Sequence, residues 1–168
     1  MNIALVAHDS RKKELVEWVE YNKQELYKHR LYATGTTARL LSNIEVRHIY
    51  DDGDYVVGDW ETMPLSVKPL LSGPLGGDQQ IGAMIAEGKI DVLIFFCDNM
   101  ITQGHQNDVS ALTRLASLYN IAFATNRTTA DMMLTSPLFK DKGYKRILPA
   151  AIEKYKNRFN DIEGKKDE

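Results

Sequence analysis

Short apolar runs alternate along this chain with longer stretches of helical spacing. Residues 3–7 (Ile3-Ala4-Leu5-Val6-Ala7) are continuously apolar, as expected of a parallel strand buried on both faces. After His8-Asp9-Ser10, Leu15, Trp18, Val19 and Leu26 recur on one side of a polar-rich stretch. That spacing predicts an amphipathic helix, with Asp9 or Ser10 as its cap. Leu31-Tyr32-Ala33 reads as a second strand running into Thr34-Gly35-Thr36-Thr37, with a helix through residues 38–41. Pro69-Leu70-Leu71 leads into Ser72-Gly73-Pro74-Leu75-Gly76-Gly77-Asp78, then a helix over residues 79–86 that stops near Gly88, a suitable C′ residue. Residues 92–96 form the most hydrophobic strand, and residues 98–107 a polar loop. Leu112, Leu115, Ala116 and Tyr119 give the core face of a helix over 109–119. Residues 121–124 read as a further strand, followed by a helix through Met132. Arg146-Ile147-Leu148 reads as a last strand and residues 152–159 as a short helix.

This alternation of strand and helix predicts an α/β fold: a three-layer sandwich with a mainly parallel five-stranded sheet, Rossmann-like in outline. Residues from about 45 to 67 break the rhythm. There, 46–50 and 55–57 flank Asp51-Asp52-Gly53-Asp54, and Asp-Gly between β-prone runs signals a hairpin. The stretch is read as an inserted β-hairpin or loop. Residues 1–160 then form a single domain and the almost wholly charged 161–168 a tail.

Composition narrows the function. The chain has 168 residues, 43% hydrophobic and 26% charged, a globular mix. Lys plus Arg is 21 and Asp plus Glu is 23, for a net charge of -2. No broad basic field is present to attract nucleic acid or an anionic membrane, although a local anion site remains allowed. The lone Cys97 excludes an internal disulfide framework and a multi-thiolate zinc site. No apolar run is long enough to span a bilayer, and the first residues lack a basic n-region. These features predict a cytoplasmic protein.

In open parallel sheets the ligand crevice lies beyond the carboxyl ends of the strands. The residues at that edge carry most of the chemistry: His8 and Asp9; Thr34, Gly35, Thr36 and Thr37; Ser72, Gly73 and Asp78; Asp98, His105 and Asp108; Thr125, Asn126 and Thr128. Thr34-Gly35-Thr36-Thr37 places hydroxyls and amides at a helix start, either as an anion cradle or as an ordinary cap. Ser72-Gly73-Pro74 with Gly76-Gly77 allows close backbone approach to an anion. No Lys-Ser or Lys-Thr pair follows these glycines, and the dinucleotide fingerprint is absent, so a small phosphate-bearing ligand fits better than a nucleotide. Asp78 is either a first-turn acid or a general base aimed into the crevice. His105 and Asp108 pair as base and orienter, or as a surface histidine and a helix-start acid. Adjacent His8 and Asp9 point to opposite sides of an extended segment, which makes joint metal ligation awkward. Asp98 alone reads as a loop-capping acid, and Cys97 as a core residue.

Taken together, these segments resemble the methylglyoxal synthases. The resemblance runs in order through Ile3 to Asp9, Leu31 to Thr37, Leu71 to Gln80, Gly88 to Phe96, His105 with Asp108, and Ala124-Thr125-Asn126. It covers nearly the whole chain, and Gly76-Gly77-Asp78-Gln79-Gln80 is its most specific stretch. It implies conversion of dihydroxyacetone phosphate into methylglyoxal and inorganic phosphate without a cofactor or metal. In the family, the residue matching Asp78 is the base, and those matching His105 and Asp108 join its hydrogen-bond network. The residues matching Lys12, Thr34, Thr36, Thr37, Ser72 and Gly73 hold the phosphate. His8 and Asp9 match site-lining positions, and Gly35 and Asp98 are grouped with the binding residues. The family is homohexameric, and the residue matching Arg158 pairs across subunits with the one matching Asp9, a contact linked to regulation by phosphate.

Two features depart from the family pattern: the longer 45–67 insertion with its five acids Asp51, Asp52, Asp54, Asp59 and Glu61, and Gln106-Asn107 where acid and proline are common. The competing reading is a non-catalytic effector-binding module of the same fold, as in carbamoyl phosphate synthetase, which needs the cradle and no base. A metal-dependent phosphohydrolase built on Asp98, His105 and Asp108 is a third.

Overall fold

The computed structural model describes residues 1–47, 61–100, 106–141 and 143–158. Five parallel strands form the main sheet: β1 (Asn2–Ala7), β2 (Arg30–Thr34), β5 (Val67–Leu70), β6 (Val92–Phe96) and β7 (Ala122–Ala124), in the order β5-β2-β1-β6-β7. The chain builds outward from β1 on one side, then crosses to β6 and β7 on the other. The topological switch point therefore lies between β1 and β6, where the crevice of such sheets opens.

Helices cover both faces, and the period-two alternation of strand side chains feeds two separate cores. Ile3, Leu5 and Ala7 of β1 and Val92, Ile94 and Phe96 of β6 pack on one side with helices α1 (Lys12–Leu26), α2 (Gly35–Leu41) and α5 (Arg127–Thr135). Ala4, Val6, Leu93 and Phe95 pack on the other with α3 (Gly77–Ala86) and α4 (Gln106–Leu118). This double burial accounts for the uninterrupted apolar runs of β1 and β6. The buried residues of α1 are Leu15, Trp18, Val19 and Leu26, the stripe its spacing predicts. Glu87 caps α3, and Gly88 follows with φ +73°, as a C′ glycine does.

Three expectations need correction. The fifth strand is Val67–Leu70, not Arg146-Ile147-Leu148. Pro69 lies within β5, an edge strand, where a missing N–H is tolerated. Ile147 is 79% exposed and lacks the two-sided cover a parallel strand requires. Its carbonyl accepts from Asn120 at 2.9 Å, and Arg146 donates to the Ile90 carbonyl at 3.2 Å, so side chains hold this segment in place of a ladder.

The insertion does contain an antiparallel pair, β3 (Glu45–Arg47) with β4 (Thr62–Pro64), but the return strand is Thr62–Pro64. Residues 55–57 and the turn at 51–54 lie outside the described residues. Val67 belongs to the main sheet, and Val46 and Leu65 are in the core, so the ends of the insertion are integral to the fold. Neither Asp9 nor Ser10 caps α1. They form a 3-10 turn, Asp9–Arg11, and both side chains bond elsewhere.

The last helices are α6 (Pro137–Lys140) and α7 (Ala150–Asn157). Phe159 and the 161–168 tail fall outside the described residues. No helix among the described residues is long and apolar enough to cross a membrane.

Candidate active site

The strand registers end level. Ala7 pairs with Phe96 and Thr34 with Leu70, so the segments after β1, β2, β5 and β6 emerge along one edge. There they surround a cavity of about 760 Å³. Of the residues singled out from sequence, His8, Asp9, Lys12, Thr34, Thr36, Ser72, Gly73, Asp78 and Asp98 line it.

Asp78 sits in the first turn of α3 and is only 8% exposed. A Cβ on Gly73 would stand 3.0 Å from its Oδ2, so the absence of a side chain at Gly73 makes room for the carboxylate. The turn that delivers both residues is tight. The Ser72 carbonyl accepts from Leu75 at 2.9 Å and from Gly77 at 3.0 Å. Gly76 has φ +101°, in the left-handed region that favours glycine. At Gly77 a Cβ would lie 2.1 Å from the Leu71 carbonyl oxygen, so only glycine fits.

Lys12 bridges the 3-10 turn after β1 and the first turn of α2. Its Nζ lies 2.5 Å from Asp9 Oδ1 and 2.8 Å from Thr36 Oγ1. Among the described lining residues it is the only lysine or arginine, so it is the point charge available to an anion. The start of α2 packs closely on the Ser72 turn: Gly35 N–H donates to the Leu71 carbonyl at 3.2 Å, and a Cβ on Gly35 would lie 3.1 Å from Ser72 N.

This packing modifies the predicted cradle. Gly35 does not line the cavity, and its N–H is already used. Thr37 is also outside the lining, 1% exposed, and its Oγ1 has no hydrogen-bond partner among the described residues. Thr34 and Thr36 form this part of the wall.

His8 and Asp98 meet across the switch point. The His8 backbone N–H continues the ladder to the Phe96 carbonyl at 3.2 Å, and Asp98 N–H donates to His8 Nδ1 at 2.7 Å. The Asp98 carboxylate accepts from the Ser10 hydroxyl at 2.5 Å and from Met100 N–H at 2.9 Å. Those two bonds, the hydroxyl first, hold its carboxyl below the usual carboxylate range. Asp98 is thus both a loop-capping acid and a wall residue. Cys97, read as core, is buried, and burial pushes its thiol up to about 11, far from thiolate chemistry.

His105 lies outside the described residues, and Asp108 is placed by backbone alone, in the first turn of α4. Arg158 is not among the lining residues: it caps α7, with its guanidinium 4.7 Å from the Tyr155 ring centre. The cavity also takes in Pro74, part of the predicted glycine-rich turn, and Asn99, Val109 and Ser110, which were not singled out from sequence. Asn99 directly follows a strand-end residue and was open to the same rule. Ser110 belongs to a helix whose opening turn comes back over the crevice, which no local pattern reveals.

A family profile described as MGS-like domain matches residues 61–125, the stretch carrying Ser72, Gly73 and Asp78. A methylglyoxal synthase of Leptospira interrogans is 50% identical over 146 residues, which is 87% of this chain and 86% of that protein. One from Pectobacterium atrosepticum is 49% identical over 140 residues, 83% of this chain and 80% of that protein. The crystal structure of methylglyoxal synthase from Elizabethkingia anophelis superposes with a TM-score of 0.68 at 42% identity, covering 89% of this chain and 93% of that one. Identity at this level over most of both chains establishes kinship, and the chain belongs to the methylglyoxal synthase family.

Proposed function

We propose that this protein is a lyase converting dihydroxyacetone phosphate into methylglyoxal and inorganic phosphate, with Asp78 as the general base. The observation that carries this reading is the buried Asp78 carboxylate, set against Gly73 in the cavity that also holds Lys12. A carboxylate of ordinary pKa is a weak base for a carbon acid. It becomes adequate when sheltered from water and when donors stabilise the enediolate it creates.

Asp78 takes a proton from the hydroxymethyl carbon. The electron pair moves into the carbon–carbon bond, and negative charge develops on the carbonyl oxygen. His105, oriented by Asp108, then exchanges protons between the two enediolate oxygens. Lys12, with Thr34, Thr36, Ser72 and Gly73, holds the phosphate so that its C–O bond aligns with the enediolate π-system. The enediolate electrons form a new double bond as that C–O bond breaks, and phosphate leaves with the pair. The enol that remains takes up a proton on its terminal carbon, gives up its hydroxyl proton and becomes methylglyoxal. The buried hydroxyl of Thr37 sits one residue beyond Thr36 and fits a second-layer contact to the same anion. His8 and Asp98 contact the substrate from the β1–β6 side. No cofactor enters these steps.

The catalytic unit is read as residues 1–160 of a cytoplasmic enzyme, assembled as a homohexamer. Exposed Tyr144, Ile147 and Tyr155 on the C-terminal segment support burial against another copy. The Asp9 side chain is 93% exposed, which leaves it accessible to Arg158 of a neighbouring copy as a regulatory contact.

The deciding experiment incubates chelator-treated protein with dihydroxyacetone phosphate and measures both products. Methylglyoxal and phosphate are expected in equal amounts. No methylglyoxal at any neutral pH defeats the reading, and activity only on restoring a divalent metal points to metal-assisted chemistry. Sedimentation of the same preparation tests the hexamer.

A further inference from the structure

We propose that Ser10 is a positioning residue: its hydroxyl, bonded to Asp98, holds the turn whose amide fixes His8 in one tautomer. The proposal rests on the reading of His8 as a substrate contact. Ser10 is exposed and does not line the cavity, so any influence on the reaction passes through its neighbours.

The chain of contacts is short and complete. Ser10, in the 3-10 turn after β1, donates to Asp98 Oδ2 at 2.5 Å. The other carboxylate oxygen of Asp98, Oδ1, accepts from Met100 N–H at 2.9 Å. With both oxygens engaged, the carboxylate is pinned between its own turn and the β1–α1 turn. The backbone N–H of the same residue donates to His8 Nδ1 at 2.7 Å. A nitrogen that accepts a hydrogen bond carries no proton, so neutral His8 carries its proton on Nε2. The ring is further fixed edge-on against Phe95, with centroids 5.1 Å apart and planes at 68°.

Without the Ser10 hydroxyl, Asp98 keeps its local turn but loses the tie to the β1–α1 segment. Residues 97–100 then drift relative to His8, and the Asp98 amide no longer selects one tautomer. His8 would present a donor to the substrate only part of the time. A hydroxyl–carboxylate bond is charge-assisted and short, which makes it effective as an orienting device. The adjacent Arg11 lies 2.9 Å from Glu14 and contributes to Asp98 through its charge, after the Ser10 and Met100 hydrogen bonds.

The test compares Ser10→Ala and Ser10→Thr in the full-length protein. Imidazole nitrogen NMR without substrate reads the tautomer of His8, and steady-state kinetics with dihydroxyacetone phosphate reads turnover. In wild type and Ser10→Thr, Nδ1 should resonate as the unprotonated nitrogen and Nε2 as the protonated one. Ser10→Ala should show the averaged shifts of mixed tautomers. Its kcat should fall about tenfold, with KM moving less and the melting temperature close to wild type. A residue with only a structural role would move the melting temperature and leave the nitrogen shifts alone. Unchanged nitrogen shifts in Ser10→Ala, or mixed tautomers with wild-type kcat, overturn the proposal. If the wild type makes no methylglyoxal, the functional reading fails instead, and the imidazole spectra still decide whether Ser10 sets the tautomer.

Discussion

The carboxylate of Asp78 occupies the space that a side chain on Gly73 would need, with Oδ2 3.0 Å from the Cβ position. Gly73 is not among the glycines with positive φ, so its backbone accepts alanine without strain. The methyl group of Gly73→Ala meets only the end of a side chain, which swings away. The variant should fold with a near-wild-type melting temperature while kcat/KM falls about 100-fold, since a misplaced base loses alignment with the carbon it deprotonates. Activity and thermal unfolding measured on one preparation separate the two effects.

Asp78→Asn keeps the shape and removes the proton acceptor. Loss of a general base lowers kcat by about 1,000-fold. Phosphate binding, followed by calorimetry, should be largely retained, because Lys12 and Thr36 are untouched. Turnover near wild type would remove Asp78 from its role.

Neighbouring glycines should respond in opposite proportion to their backbone angles. Gly76 has φ +101°, but the nearest atom to its Cβ position is Gln79 Oε1 at 3.7 Å. Gly76→Ala therefore meets conformational strain alone, about 1–2 kcal/mol. Gly77→Ala drives a methyl to 2.1 Å from the Leu71 carbonyl oxygen, where the obstacle is backbone. The loss should be about 3 kcal/mol, and urea unfolding of both variants gives the order.

Trp18 is fully buried, and its indole N–H donates to Asp131 Oδ1 at 2.6 Å, tying α1 to α5. Asp131→Ala leaves that donor unsatisfied in the core and should destabilise the fold by about 2 kcal/mol. Asp131→Asn restores an acceptor and should recover most of the loss. Equal unfolding midpoints for the two variants would dismiss the bond as a contributor.

Stability should fall as the medium is acidified from pH 7.5 to 5.5, with His29 as a source. Burial lowers its pKa below the ordinary 6.5, and the Met1 ammonium, 3.3 Å from Nδ1, adds to the effect; Glu25 opposes and Lys28 assists. The unfolded chain thus takes up the proton first. The stability is complete above about pH 6.5 and is lost as pH drops toward the folded value. In His29→Phe, which keeps an aromatic ring against Phe139, the decline over this range should flatten. Urea unfolding at several pH values measures it.

Much of this protein was legible in its sequence because burial patterns are local. The apolar runs of β1 and β6 and the stripe of Leu15, Trp18, Val19 and Leu26 follow from the faces these elements must bury, and each matches the structure. The strand-end rule likewise gathered His8, Thr34, Ser72 and Asp98, all of which line one cavity. Where a local rule met a tertiary one, the tertiary one prevailed. Pro69 and Leu70 read only as the lead into the Ser72 turn, yet they belong to β5, at an edge where the proline is harmless. Asp9 and Ser10 had the chemistry of helix caps, but Lys12 and Asp98 took their oxygens.

By itself the sequence determined the alternation of strand and helix, the buried faces of α1 and α4 and the edge of the sheet at which chemistry gathers. Only the tertiary structure decided that Gly73 makes room for Asp78, that Thr37 and Gly35 leave the cavity wall, and that Ser10 reaches Asp98. The physical reason is range: periodicity records which side of an element faces inward. A hydrogen bond between residues 88 positions apart depends on how two strand ends are set in register.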